Sequence, residues 1–420
     1  MEKIKLSVSL ILVISLVSIG SFCLSAQDDV VNIKYWNLFT GGDGAWMSQI
    51  VEEFNEAHPS IKVEELTIEW ANYYPKLTTA LVGKKGPDVA ICHYSRLAKF
   101  VPRGVFYPIG EVAKSVGVDL DDYNPMVLDA GKFEGEQYEL PLDTHPEILY
   151  YNPDILKAAG LTDENGEVMI PEGKEEFLEF SRKIKEKTDA WALSIEIVDN
   201  AYTPVRILHG LVKGQGGNYL NKDKTASALD GPALNVLKFY DQLFNEDKVA
   251  PNDVNYEESV SLFSEGRAAF HINGVWATGT FEQTEDLNFG AVPLPRIFDE
   301  QATWTDSHTF VFPKQQKKDE EKLEAAVTFA SWAAKEGFQV WAKAGHIPVR
   351  DSVLESEWYN NMKYRPDYAA ALNTVHYVPF TPDWLEVEDA SMDIVASLNT
   401  GQIGPEEALE KLEKEINSIL

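Results

Sequence analysis

The groups in this chain that could meet a ligand are one acid-rich turn, four histidines and a surplus of aromatic rings. Residues 141–147 read PLDTHPE and set Asp143, His145 and Glu147 at alternate positions. Two carboxylates flanking a sugar would be the acid and base of a glycosidase. A single buried carboxylate there would equally well accept hydrogen bonds from hydroxyl groups, and spacing along the chain does not separate the two. Residues 270–276 read FHINGVW. Asn-Gly is a turn signal because both residues tolerate positive φ. Trp276 is therefore either a core aromatic after a hairpin turn or a platform for a ligand at the mouth of a sheet.

Other chemistries lack their residues. G-x-S-x-G, H-E-x-x-H, the P-loop and C-x-x-C are absent. His93, His145, His308 and His346 are scattered, which argues against a metal centre. TGGDG at 40–44 has Met47 where a dinucleotide fingerprint needs its third glycine, and Asp43 would oppose a pyrophosphate. That loop reads as a tight turn facing a neutral, hydroxyl-rich ligand. No cofactor is called for.

The composition narrows the setting. The formal charge is −30, and residues 1–26 hold Lys3, Lys5 and Glu2, so the remainder carries −31. Such a chain repels nucleic acid and anionic membrane surfaces. Lys3 and Lys5 precede an apolar run to Leu24 that ends in Ser25-Ala26, the pattern of a cleaved signal peptide over 1–26. An uncleaved anchor is the competing reading. Lipidation at Cys23 is disfavoured because bulky Phe22 stands where a small residue is usual. The other cysteine, Cys92, lies in the apolar run VAIC and reads as a buried small hydrophobe.

The elements that must hold these groups alternate. VVNIKYWNLF, IKVEELTIEW and GPDVAICHY read as strands separated by helices, the first with Met47, Ile50, Val51 and Phe54 on one face. This rhythm predicts α/β architecture with a parallel, doubly wound sheet. EGEQYELPLDTHPEILYYN carries two prolines and suits a crossing between domains better than a central strand. Strands are expected at AAFHINGVW, NFGAVPLP and SHTFVFP, and helices at 174–188, 232–247, 320–335 and from Pro405 to the end. The length suggests two domains or three.

At PLDTHPEILYYNPDILKAAGL the chain resembles the bacterial extracellular solute-binding proteins that serve carbohydrate ABC importers. Leu142-Asp143 followed by Leu149-Tyr150-Tyr151-Asn152 carries the likeness, with Ile148 where the family usually has a small residue. FNEAHPSIKVE, GPDVAICH, FSEGRAAFHINGVW, FGAVPLP and HIPVR follow in the family's order, so the likeness spans nearly all of the chain after the leader. The resemblance implies two α/β lobes, 27–141 plus 305–350 and 142–304 plus 351–420, closing on a ligand like a hinge. It implies an exported, non-enzymatic receptor, expected to be monomeric, that delivers a neutral sugar to ABC membrane subunits. Trp276 would stack on a sugar ring and Asp143 would accept its hydroxyls. His93 and Arg96 would add polar contacts, Tyr202 would line the second lobe, Asp43 the first loop and Arg350 the hinge side. Tyr377, Phe380 and Trp384 would form a further stacking face, whereas Trp36, Trp70, Tyr73 and Tyr74 have no secure counterpart. The alternative class is a secreted hydrolase using Asp143 and a second carboxylate.

Overall fold

A computed structural model describes residues 30–40 and 43–420. The expected leader and Cys23 lie outside these residues. Among the described residues no helix is long and apolar enough to cross a membrane.

Two separate sheets organise the chain. In the first, Val31–Asn37 is flanked by Ile61–Thr67 and Val89–His93, all parallel, as the early strand–helix alternation predicts. Val89–His93 is buried on both faces, which is why it reads as an unbroken apolar run. The sheet then departs from the all-parallel expectation. His308–Val311 runs antiparallel to Val89–His93, with His308 opposite His93, and Glu139–Pro141 forms the far edge. The helix Gly44–Ala57 packs on this sheet through Met47, Ile50, Val51 and Phe54, the stripe seen in the sequence.

The second sheet has the order Gly290–Pro293, Glu147–Tyr151, Ala268–Gly274, Trp191–Ser194. Glu147–Tyr151 is antiparallel to both neighbours, and only the outer pair Ala268–Gly274 with Trp191–Ser194 is parallel. The proline-bearing stretch is thus a crossing and a central strand in turn: Glu139–Pro141 edges one sheet, residues 142–146 cross, and Glu147–Tyr151 sits inside the other. Two more crossings meet the first. The chain returns between Thr303–Trp304 and His308–Val311, and Ile347–Pro348 pairs antiparallel with Asp143–Thr144.

The expected helices form at Lys174–Lys187, Gly231–Asp241, Glu320–Ala333 and Pro405–Ile419. Pro405–Ile419 buries Ala408, Leu412 and Ile416, and with Trp384–Asn399 it covers the second-sheet helices Tyr202–Lys213 and Gly231–Asp241. Cys92 is buried, and burial pushes its thiol up, away from reactivity. The result is a two-lobed α/β fold whose lobes are joined at one bundle of crossings.

Candidate functional site

Trp276 stands where the Ala268–Gly274 strand ends and a single 3-10 turn, Val275–Ala277, begins. Gly274 has φ −70°, so Asn273-Gly274 is no positive-φ hairpin turn. The glycine is required for space: a Cβ there would lie 2.0 Å from the Trp276 ring, which folds back over the backbone. The ring is half-buried, and its Nε1 donates to the Tyr256 hydroxyl at 3.1 Å. The imidazole of His145 meets it edge-on at 5.9 Å.

Beside Trp276 lies a cation that the sequence reading missed. Arg206 projects from the Tyr202–Lys213 helix over the rings of Trp304 at 4.3 Å, Tyr202 at 5.3 Å and Trp276 at 5.8 Å. It pairs with Glu147 at 3.3 Å and Glu388 at 3.7 Å. Burial pushes both carboxyls up to about 7 in spite of Arg206, which pulls the other way. Burial likewise raises Glu196. Glu147 Oε2, Arg206 Nε and Trp304 Nε1 are buried without hydrogen-bond partners. The signal available in the sequence was Tyr202 and Arg206 at i and i+4 on one helix face.

Asp143 lies at the crossing and is fully buried. Its Oδ1 accepts from His145 Nδ1 at 2.9 Å and from the His308 backbone at 3.1 Å. Its Oδ2 accepts from His308 Nδ1 at 2.8 Å and from Trp341 Nε1 at 2.7 Å. Burial alone would raise this carboxyl, but His308, His346 and these hydrogen bonds hold it well below the usual range. Reciprocally, burial would lower His308, and Asp143 outweighs it and raises the imidazole. With two donors on each oxygen, Asp143 has no lone pair free in this geometry for acid–base work or for a ligand hydroxyl. The histidines that are scattered in sequence converge here: His93, His145, His308 and His346 lie within one ring-contact cluster.

The first lobe faces this cluster with His93, which ends its strand. The Tyr74 hydroxyl donates to His93 Nδ1 at 2.7 Å and accepts from the His93 backbone at 3.1 Å. Trp70, undecided from sequence, is 49 % exposed and sits edge-on to His93 at 5.0 Å. Arg96 lies over the Tyr74 ring at 4.1 Å and reaches Trp70 at 5.6 Å. The rings of Trp70, His93, His145 and Trp276 thus form a continuous file from one lobe to the other. Asp43 immediately precedes the helix Gly44–Ala57, close enough for its charge to act on His308.

Two expected contacts are placed elsewhere. Arg350 is buried against Tyr123 and ion-paired to Asp122 at 2.7 Å, tying 350–352 to 119–123. Trp384 is 1 % exposed, packed against His209 and Tyr219. Tyr202 is half-buried, its hydroxyl donating to Asp389 at 3.3 Å. Tyr377 and Phe380 are half-buried around Tyr94.

Two lobes joined by short crossings, with aromatic and charged side chains gathered at the joint, are the architecture of a two-lobed binding protein. The chain belongs to the bacterial extracellular solute-binding protein family, whose model matches residues 40–340. It is 24 % identical over 400 residues to the diacetylchitobiose binding protein DasA of Streptomyces coelicolor, covering 92 % of this chain and 89 % of that one. It is 26 % identical over 351 residues to a maltotriose-binding protein of Pyrococcus abyssi, covering 81 % and 72 %. Among solved structures, the GacH receptor of Streptomyces glaucescens, described unliganded and with acarbose, superposes with a TM-score of 0.80 at 20 % identity, covering 93 % of this chain and 98 % of that one.

Proposed function

We propose that the protein captures a neutral carbohydrate of two or more rings between its lobes and presents the closed form to the membrane subunits of an ABC importer. The observation that carries this reading is a file of aromatic faces running from one lobe to the other with charged side chains beside it. Trp276 offers a half-buried ring and Trp70 an exposed one at the two ends, with Arg206 and Arg96 alongside them. Sugars have apolar C–H faces and a rim of hydroxyls, which suit those two features together. An anionic ligand such as a glycerol phosphate is disfavoured, because Arg206 is offset by Glu147 and Glu388. The saccharide ligands named for the relatives point the same way.

Within this reading the lobes are 27–141 plus 305–350 and 142–304 plus 351–420, and contacts made from both at once favour closure. Asp43, His93 and Arg96 serve from the first lobe, and Tyr202, Trp276 and Arg206 from the second. Asp143 acts through His145 rather than by direct contact. The receptor works as a monomer outside the cytoplasmic membrane, exported by its leader.

A thermal-shift screen against neutral mono- and oligosaccharides, with glycerol phosphates as controls, tests the proposal. A sugar at 100 times its dissociation constant is expected to stabilise the fold by about 2.7 kcal/mol and to be recovered uncleaved. A flat response across the panel sinks it. Gly274→Ala gives a sharper check, since an ordinary φ lets the backbone stand while the new Cβ drives the Trp276 ring aside. The variant is expected to fold, to change its tryptophan emission, and to bind the sugar about tenfold more weakly or worse. Unchanged affinity would remove Trp276 from the site.

A further inference from the structure

We propose that Asp143, His145, His308 and His346 form a binding site for a divalent transition-metal ion, zinc being the best match, at the joint where the three crossings meet. The inference does not depend on which solute the cleft holds. One donor atom from each of the four side chains lies within 4.8 Å of all the others, and all four residues are buried. The Nδ1 atoms of His145, His308 and His346 stand 2.9, 2.8 and 3.6 Å from the Asp143 carboxylate. Donors around tetrahedral zinc, at about 2.0–2.1 Å from the ion, are roughly 3.3 Å apart. The cluster brackets that spacing and needs only local tightening.

A second observation asks for an occupant. His346 is 1 % exposed, and both of its ring nitrogens lack a hydrogen-bond partner. A buried imidazole with two unmet nitrogens is costly unless something satisfies it. The ring is not loose: it stacks on Trp341 at 4.8 Å and 9°. Trp341 also donates from Nε1 to Asp143 Oδ2, and the His308 backbone donates to Oδ1. Those two bonds would orient the carboxylate from outside once an ion lay inside, as outer partners do in metal centres.

The donor set selects the ion. Imidazoles with one carboxylate suit zinc and its neighbours, whereas calcium and magnesium want oxygen. On binding, His145 and His308 would turn a bare Nδ1 to the ion and carry their one remaining proton on Nε2, so each Nδ1 hydrogen now on Asp143 moves to Nε2 or, from a doubly protonated ring, is released to solvent. The four ligands come from three chain segments: 143–145, 308 and 346. An ion would pin the crossings together immediately beneath the His145–Trp276 contact.

The test is calorimetric titration of chelator-stripped protein with zinc chloride, in parallel with His346→Phe, which keeps the stack on Trp341 and removes one ligand. One zinc per chain is expected, with a rise in melting temperature, and cobalt(II) should give the strong visible absorption of a four-coordinate site. His346→Phe, shown folded by circular dichroism, should bind at least 100-fold more weakly, beyond the about 10–100-fold that losing an outer partner costs. His145→Gln provides a second ligand deletion if His346→Phe does not fold. No zinc binding by the parent overturns the proposal. So does equal binding by parent and variant, or tighter binding of calcium or magnesium.

Discussion

Asp143→Ala is expected to destabilise the protein by about 5 kcal/mol or more, enough to leave it marginally folded or unfolded. Four donors converge on this carboxylate, from His145, from Trp341 and from the ring and backbone of His308. Removing one partner of a buried charged pair costs about 3–5 kcal/mol, and each further buried donor left unmet adds about 1–3 kcal/mol. Against a total stability of about 5–15 kcal/mol, that loss is decisive. Asp143→Asn keeps the shape and one acceptor oxygen and should lose less. Urea denaturation of the two variants reads the difference. If Asp143→Ala folds within about 1 kcal/mol of the parent and loses only ligand affinity, the carboxylate is a ligand contact and the keystone role assigned to it is wrong.

Arg206→Met should show an effect of similar size with a characteristic dependence on pH. Methionine keeps an apolar stem over Trp304 and withdraws the charge that faces Glu388 and Glu147. The folded state already holds Glu388 up at about 7, against 4.5 for an unperturbed glutamate. The folded form therefore binds the proton more tightly than the unfolded form does. Stability from this group is fully present below about 4.5 and is lost as pH rises to about 7. Without Arg206 the carboxyl shifts higher still, and the loss continues above 7. The gap between parent and variant should be about 3–5 kcal/mol at pH 8 and should largely close at pH 5. Denaturation midpoints measured across that range decide it; a gap independent of pH would mean that packing over Trp304, not charge, is what Arg206 supplies.

What could be read from sequence was local. The stripe Met47, Ile50, Val51 and Phe54 announces its helix because the period is contained in the helix itself. Asn273-Gly274 does mark the end of a strand before Trp276, but the glycine there makes room for a ring and does not supply positive φ. Asp143 could not be understood from its neighbours, since three of its four donors come from residues 308 and 341. The histidines misled for the same reason, because distance along the chain says nothing of distance across the crossings. In sequence Trp384 is indistinguishable from a ligand aromatic, but its helix buries it against His209 and Tyr219, and composition alone does not separate these fates. The parallel expectation fails in the first sheet where a strand from much later in the chain enters it, and in the second where Glu147–Tyr151 runs antiparallel to both neighbours.

That late strand also sets the order in which the protein can be built. Thr309 bonds to Cys92 across 217 residues of chain, and its strand lies between Val89–His93 and the edge strand Glu139–Pro141. The first sheet cannot close until everything that forms the second has emerged. Such long-range pairing makes acquisition of the native state slow. Until residues 308–311 have been synthesised, Val89–His93 keeps one edge without its neighbour, so the first lobe is the first to be started and among the last to be completed.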